Sequence, residues 1–316
     1  MVRIGYKGKS LLSHDLFCAI LFLFFVLIRS DAAFANNSNG NNGKGWNVIV
    51  VGGSSGMGKA TAMEVVRNGG NVLIVSRSAE KLERAVKEIR DNTDMSSQQE
   101  KQQVSTAILD ITKESSVEKF AQELKKNSDG GCGCGWDGLV VSAAGKAPHG
   151  SITELDTSET RNLMETKFWG AYHCAKYISP LLRDGGAITF VGGVLNRRPG
   201  LNCSPLASTN GALEGLTRSL ALDLGPKIRV NCLSPGFCNT ERFDHFEESK
   251  KQAMFQNTAD SLPLQRIGQP SDMGKAIYYL QTAKFCTGVI LDCDGGHHIR
   301  QYANPTTDPM RQSPTN

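Results

Sequence analysis

The run Val51-Gly52-Gly53-Ser54-Ser55-Gly56-Met57-Gly58 constrains the fold more than any other stretch of the chain. It follows the apolar run Val48 to Val51 and opens an amphipathic segment, Lys59 to Val66, so it reads as strand, glycine turn and helix. Glycines allow a tight turn and let a phosphate approach backbone that carries no Cβ. The free N–H groups at the helix start then face an anion. A glycine turn alone is a weak signal; within a βαβ unit it is a strong one for a dinucleotide site.

Strand-like and helix-like runs alternate along the rest of the chain. Strands are expected at Val72–Val75, Val104–Leu109, Gly138–Val141, Ala187–Val191, Ile228–Asn231 and Thr287–Asp292. Helices are expected at Ala79–Arg90, Lys113–Lys126, Ser208–Leu224 and, as one long unit, Ser158–Leu182. Asp91 to Gln103 is a polar insert without apolar periodicity. Phe237 to Leu264, charged but carrying Phe243, Phe246 and Phe255, reads as a helical flap over a cleft or as a plain surface helix pair. The alternation predicts an α/β fold, a single Rossmann-like doubly wound parallel sheet with helices on both faces. Residues 46–300 form this domain, and 301–316 are expected to be a disordered tail.

Arg3, Lys7 and Lys9 precede an unbroken apolar run from Leu16 to Ile28, followed by the small residues Ala32, Ala33 and Ala35. Residues 1–35 therefore read as a secretory signal peptide, with an uncleaved signal anchor as the alternative and 36–45 as a polar linker. The Ala-Phe junction and the Asn-rich stretch Asn36 to Lys44 also suit a bipartite plastid leader. The run falls short of the ~20 residues that a membrane span needs, so no stable span is expected in the mature domain. Of the net charge of +4, five cations against two anions in the first 45 residues carry most, which leaves a near-neutral domain and argues against nucleic-acid binding. Nine cysteines are present, but their spacing forms no disulfide framework or metal pair, Cys132 and Cys134 included. Most read as buried free thiols. No metal site is expected.

The spacing of Gly52, Gly56 and Gly58 resembles the short-chain dehydrogenase/reductase family, and the resemblance runs from about Trp46 to Arg300. Val51 departs from a usual Thr. The resemblance implies a pyrophosphate site at Gly52, Ser54, Ser55, Gly56, Met57 and Gly58. It places Asp110 and Ile111 at the adenine, Ala144 and Gly145 in the family's Asn-Asn-Ala-Gly segment, Pro235 and Gly236 beside the nicotinamide, and Thr240 near the carboxamide and phosphates. Ala143 replaces an amide that usually ties neighbouring strands. At the end of the second strand, Ser76 stands where a carboxylate would bind a ribose 2′-hydroxyl, and Arg77 offers a guanidinium to a 2′-phosphate. NADP is therefore the expected cofactor, and a homo-oligomer the expected assembly.

The family's catalytic positions are all changed. Gly193 stands at its Ser, Leu206 at its Tyr, Asn210 at its Lys and Lys167 at its Asn, in a register fixed by Phe168-Trp169-Gly170 and Gly211 to Leu216. The ordinary logic uses Tyr, a weak acid of pKa ~10, lowered by a neighbouring ammonium. Here Lys and Asn have exchanged places on adjacent helices, which keeps one ammonium and one amide in one volume. Lys167 and Asn210 are thus the candidate catalytic pair, expected to bond directly or through one water. Ser204, Ser208 and His149 are other candidate donors. Two functions stay open: an NADP-dependent oxidoreductase of an unknown carbonyl or alcohol with a non-standard site, or a catalytically silent NADP(H)-binding protein.

Overall fold

The computed structural model describes residues 45–93, 103–129 and 135–299. The leader, the linker to residue 44, the tail 301–316, most of the polar insert, Cys18, Cys132 and Cys134 lie outside the described residues. Seven strands build one sheet: β1 (Asn47–Val51), β2 (Asn71–Ser76), β3 (Val104–Ile108), β4 (Trp136–Val141), β5 (Leu182–Val191), β6 (Arg229–Pro235) and β7 (Ile290–Cys293). Their order is β3-β2-β1-β4-β5-β6-β7, and every pairing is parallel. The order reverses between β1 and β4, the place where a doubly wound sheet leaves a crevice at its carboxyl edge.

Alternate residues along each strand assign the two faces. Ile49, Val51, Leu73, Val75, Leu139, Val141, Ile188 and Phe190 pack against α3 (Glu114–Asp129), α5 (Gly170–Ile178) and α6 (Ser204–Asp223) through Phe120, Cys174, Ile178 and Leu213. Val48, Val50, Val72, Ile74 and Val140 face the other way, onto α1 (Gly56–Arg67), α2 (Ala79–Asp91) and α8 (Pro270–Thr282) through Val65, Leu82, Ile89, Met273 and Ile277. Helix α2 begins where the Ser78 side chain accepts the Lys81 N–H. Helix α8, absent from the sequence reading, starts at a Gln269/Asp272 capping box with Pro270 in its first turn. Six cysteines among the described residues are free thiols, four buried and Cys286 and Cys293 half-buried. No helix among the described residues is long and apolar enough to cross a membrane.

The long helix expected from Ser158 to Leu182 is not continuous. It runs as α4 (Thr157–Met164), opens into a π turn at Glu165–Trp169, resumes as α5 and ends at Ile178. Pro180 follows in a 3-10 turn, Ser179–Leu181, since its ring and missing N–H cannot continue a helix. Strand β5 then starts at Leu182, five residues before the expected Ala187. Helix α6 starts at Ser204 rather than Ser208, because Pro205 is tolerated in a first turn. The segment expected to form a flap contains a short 3-10 turn, Glu241–Phe243, and α7 (Glu248–Asp260), joined by a cluster of Phe237, Phe243 and Phe255.

Helix α1 is set by α8, whose Gly274 lies against the α1 backbone: a Cβ there would stand 2.7 Å from the Ala60 carbonyl oxygen. Backbone cannot yield as a flexible side chain does. Gly274→Ala is expected to lower stability by ~1–3 kcal/mol through overpacking, as read from urea denaturation midpoints at unchanged slope.

Candidate active site

The crevice at the carboxyl edge gathers the ends of β1, β2, β4, β5 and β6. At the end of β1 the chain turns through Gly52, whose φ is +83°, a conformation open to glycine. A Cβ on Gly52 would lie 2.6 Å from the Ala143 nitrogen, and one on Gly58 would lie 2.3 Å from the Gly52 carbonyl oxygen. Gly56 has φ +50° and starts α1. Ser55 and Met57 flank it, Ser55 exposed and Met57 half-buried. Ser142 ties this turn to β4: its hydroxyl donates to the Val51 carbonyl at 3.1 Å. That bond joins the end of β4 to β1, and the sequence reading missed it. Ala144 and Gly145 follow on the exposed side of the β4 end.

The turn is shaped to receive an anion, and an internal one is already there. The Gly56 N–H donates to Glu241 Oε2 at 2.7 Å, and Lys59 Nζ donates to Glu241 Oε1 at 2.7 Å. Thr240 sits beside the same turn, its Cγ2 3.3 Å from where a Gly56 Cβ would be. At the end of β2, Ser54 Oγ donates to Ser76 Oγ at 3.0 Å, and Arg77 is exposed next to them. Beyond β3, Asp110 accepts from the N–H and hydroxyl of Thr112, while Ile111 is buried under α5. Pro235 ends β6, and Gly236 is pressed on the C-terminal turn, with 2.7 Å between its would-be Cβ and Asp294 Cα. The turn from Gly52 to Gly58 and the Ser54–Ser76 pair beside exposed Arg77 offer the space and donors that phosphate groups require. The missing Cβ atoms, the helix N-terminus and a carboxylate on Gly56 all suit an anionic dinucleotide.

Lys167 and Asn210 both reach the segment that follows β5. Lys167 lies in the π turn, only 8% exposed, and its ammonium donates to the Gly192 carbonyl at 2.8 Å. Asn210, 1% exposed on α6, donates from Nδ2 to the Gly193 carbonyl at 3.1 Å. The two side chains therefore meet on consecutive carbonyls rather than bonding to each other. Asn210 Oδ1 is left buried without a partner. Burial pushes the Lys167 ammonium down to about 8; Cys232 opposes the fall and Arg242 adds to it. A single-turn π segment often marks a functional position, and here it carries this lysine inward.

The remaining candidates stand apart. Leu206 is buried at 9% exposure and presents no donor in the place of a phenol. The Ser208 hydroxyl turns back to the Ser204 carbonyl of its own helix. His149 is exposed, with Nδ1 3.4 Å from Cys203 Sγ. Among the described residues no group of three His, Cys, Asp or Glu side chains could hold a metal ion. Below Asn210, Arg197 bridges Asp292, Ser234 and Glu214, which ties the loop after β5 to α6, β6 and β7.

Comparison with known proteins agrees with this architecture. A family model described as enoyl-(acyl carrier protein) reductase matches residues 51–298. Short-chain dehydrogenase/reductase ATR9 of Stachybotrys chlorohalonatus (strain IBT 40285) is 30% identical over 263 residues, which are 81% of this chain and 98% of that protein. The 3-oxoacyl-(acyl-carrier-protein) reductase of Mus musculus is 28% identical over 249 residues, 78% of this chain and 95% of that protein. A solved small-chain dehydrogenase in complex with NADPH is 29% identical with a TM-score of 0.63, covering 79% of this chain and 97% of that one.

Gly193 and Asn210 are sterically coupled. Gly193 has φ +155°, and a Cβ there would stand 2.8 Å from Asn210 Nδ2. Gly193→Ser is expected to cost ~1–3 kcal/mol of stability from strain and overpacking. In an Asn210→Ala background the cost should shrink, since the clashing amide is gone. A double-mutant cycle by urea denaturation measures the coupling; additive costs would show that the two positions are independent.

Proposed function

This chain belongs to the short-chain dehydrogenase/reductase family, and we propose that it is an NADP(H)-dependent oxidoreductase of a carbonyl or alcohol in which Lys167 is the acid. The observation that carries this reading is the buried Lys167 ammonium on the Gly192 carbonyl at the end of β5, in a fold whose first strand runs into a glycine turn. Bound NADPH supplies the hydride. Gly52, Ser54, Ser55, Gly56, Met57 and Gly58 hold its pyrophosphate. Ser54, Ser76 and Arg77 take the 2′-phosphate, Asp110 and Ile111 border the adenine, and Ala144, Gly145, Pro235, Gly236 and Thr240 border the nicotinamide end.

Lys167 has three N–H donors, and Gly192 takes one. The others are available to a carbonyl oxygen, to which the ammonium gives a proton or whose developing charge it stabilises. Its lowered pKa suits this work, because a donor close to the working pH gives up its proton readily. Asn210 holds the Gly193 carbonyl and so fixes the backbone against which Lys167 is aimed. The second reading, a silent nucleotide-binding protein, is favoured by Leu206 in the phenol's place and by the bond that already occupies Lys167. We also propose that the leader directs the domain into the secretory pathway. Self-association through the long helices is proposed as well, where Trp169 and Tyr172 stand exposed.

The deciding experiment is a hydride-transfer screen over a carbonyl panel beside an NADPH titration. Lys167→Met is expected to abolish turnover, a loss of at least roughly 10²-fold, while NADPH affinity changes only modestly. In the wild type, reduction needs the charged ammonium, present below about 8 and lost above it. Hence kcat/KM should be flat below that pH and fall about tenfold per unit above it. NADPH binding without turnover by the wild type on any substrate would favour the silent reading. For the cofactor, Arg77→Ala should weaken NADPH by about tenfold or more and leave NADH nearly unchanged, since only the former loses a charge-assisted phosphate bond; equal affinities in the wild type would refute the preference.

A further inference from the structure

Helix α1 has no acidic residue in its first turn. Its positive end is nevertheless matched, by a carboxylate 185 residues away in sequence: Glu241 Oε2 accepts the Gly56 N–H at 2.7 Å. The other oxygen accepts from Lys59 Nζ, which also donates to Glu88 on α2. Against the cost of burial, Lys59 and the Gly56 N–H hold the Glu241 carboxyl below the usual carboxylate range. Glu241 opens the 3-10 turn that ends at Phe243. Phe243 stacks on Phe237 and meets Phe255 of α7 edge-on. One carboxylate thus fastens the whole segment from Thr240 to α7 onto the glycine turn.

We propose that Glu241 is an internal competitor for the cofactor's pyrophosphate, a latch on the glycine turn that must be displaced when NADPH enters. The inference rests on the cofactor reading above. The Gly56 N–H is one of the donors that a helix N-terminus offers to a phosphate, and it cannot serve Glu241 and a pyrophosphate oxygen together. A pyrophosphate carries more negative charge than one carboxylate, so it wins the amide at sufficient concentration. Displacement frees the Glu241–Phe243 turn from α1 while Glu88 retains Lys59. Cofactor entry and release of the segment over the crevice are therefore one event, and the apparent cofactor affinity is reduced by the fraction of molecules that are latched.

The test compares NADPH dissociation constants, by fluorescence titration of the full-length chain, for the wild type, Glu241→Gln and Glu241→Ala. Adenosine 2′-monophosphate, which has the 2′-phosphate but no pyrophosphate, is titrated in parallel. Both variants are expected to bind NADPH more tightly, by about tenfold if nine molecules in ten are latched, with adenosine 2′-monophosphate unchanged. Equal or weaker NADPH binding by both variants overturns the latch. So does an equal gain for adenosine 2′-monophosphate, which would trace the effect to net charge rather than to displacement. Failure of all three proteins to bind NADPH would overturn the cofactor reading and the latch with it, whereas binding of equal strength overturns the latch alone.

Discussion

The architecture depends on one close approach of backbone to backbone. Gly58 at the start of α1 lies so near the Gly52 carbonyl that a Cβ would stand 2.3 Å from it and 2.4 Å from Ser142 Oγ. No side chain fits into that junction, so strand β1, helix α1 and the end of β4 are locked at a spacing only glycine permits. From this point the sheet extends both ways, to β2 and β3 on one side and to β4 through β7 on the other. The same close approach leaves the Gly56 N–H at the mouth of the crevice, where an anion can be held. Fold and anion-holding turn share one cause.

The second half of the site is built on the two carbonyls after β5. Gly192 is fixed to β6 by its own N–H, which donates to the Leu233 carbonyl at 2.8 Å. Its carbonyl therefore points at Lys167 from a rigid edge. Gly193, with no Cβ, leaves room for the Asn210 amide to reach the next carbonyl. Burying an ammonium is costly unless it is hydrogen-bonded. The Gly192 carbonyl meets only part of that cost, which is why the lysine is driven down to about 8 rather than held at an ordinary value. The tension between burial and charge makes this lysine a better acid than an exposed one.

What the chain reveals before folding follows from the range of the forces involved. The glycine turn and the alternating apolar runs act locally, and strands β1, β2 and β4 lie close to where the pattern puts them. The π turn around Lys167 is not local. It answers to packing between α4, α5 and α6, and nothing in Glu165 to Trp169 announces it. Helix α8 is less legible in the sequence, since Gly274 and Lys275 interrupt its apolar positions, although Pro270 and Asp272 are the start signals of a helix. Glu241 on the Gly56 amide joins positions far apart in sequence. An acidic residue directly after Thr240 was a faint signal, given that this segment was expected near the phosphates. Lys167 and Asn210 could be expected to share one volume, but the carbonyls that receive them were not legible.

Gly193, Asn210 and Lys167 meet around the two carbonyls after β5 and are not independent positions. A serine at 193 would meet the Asn210 amide, so the amide at 210 requires a residue without Cβ at 193. Putting Lys at 210 while Lys167 remains would bring two ammonium groups to neighbouring carbonyls in a buried volume, where like charges disfavour each other strongly. Putting Asn at 167 first would leave the Gly192 carbonyl to a shorter side chain and remove the only buried ammonium from the site among the described residues. Gly193 is thus held by a steric contact and Lys167 by a hydrogen bond already in place. Leu206 is the exception: buried and apolar, it bonds to none of the others.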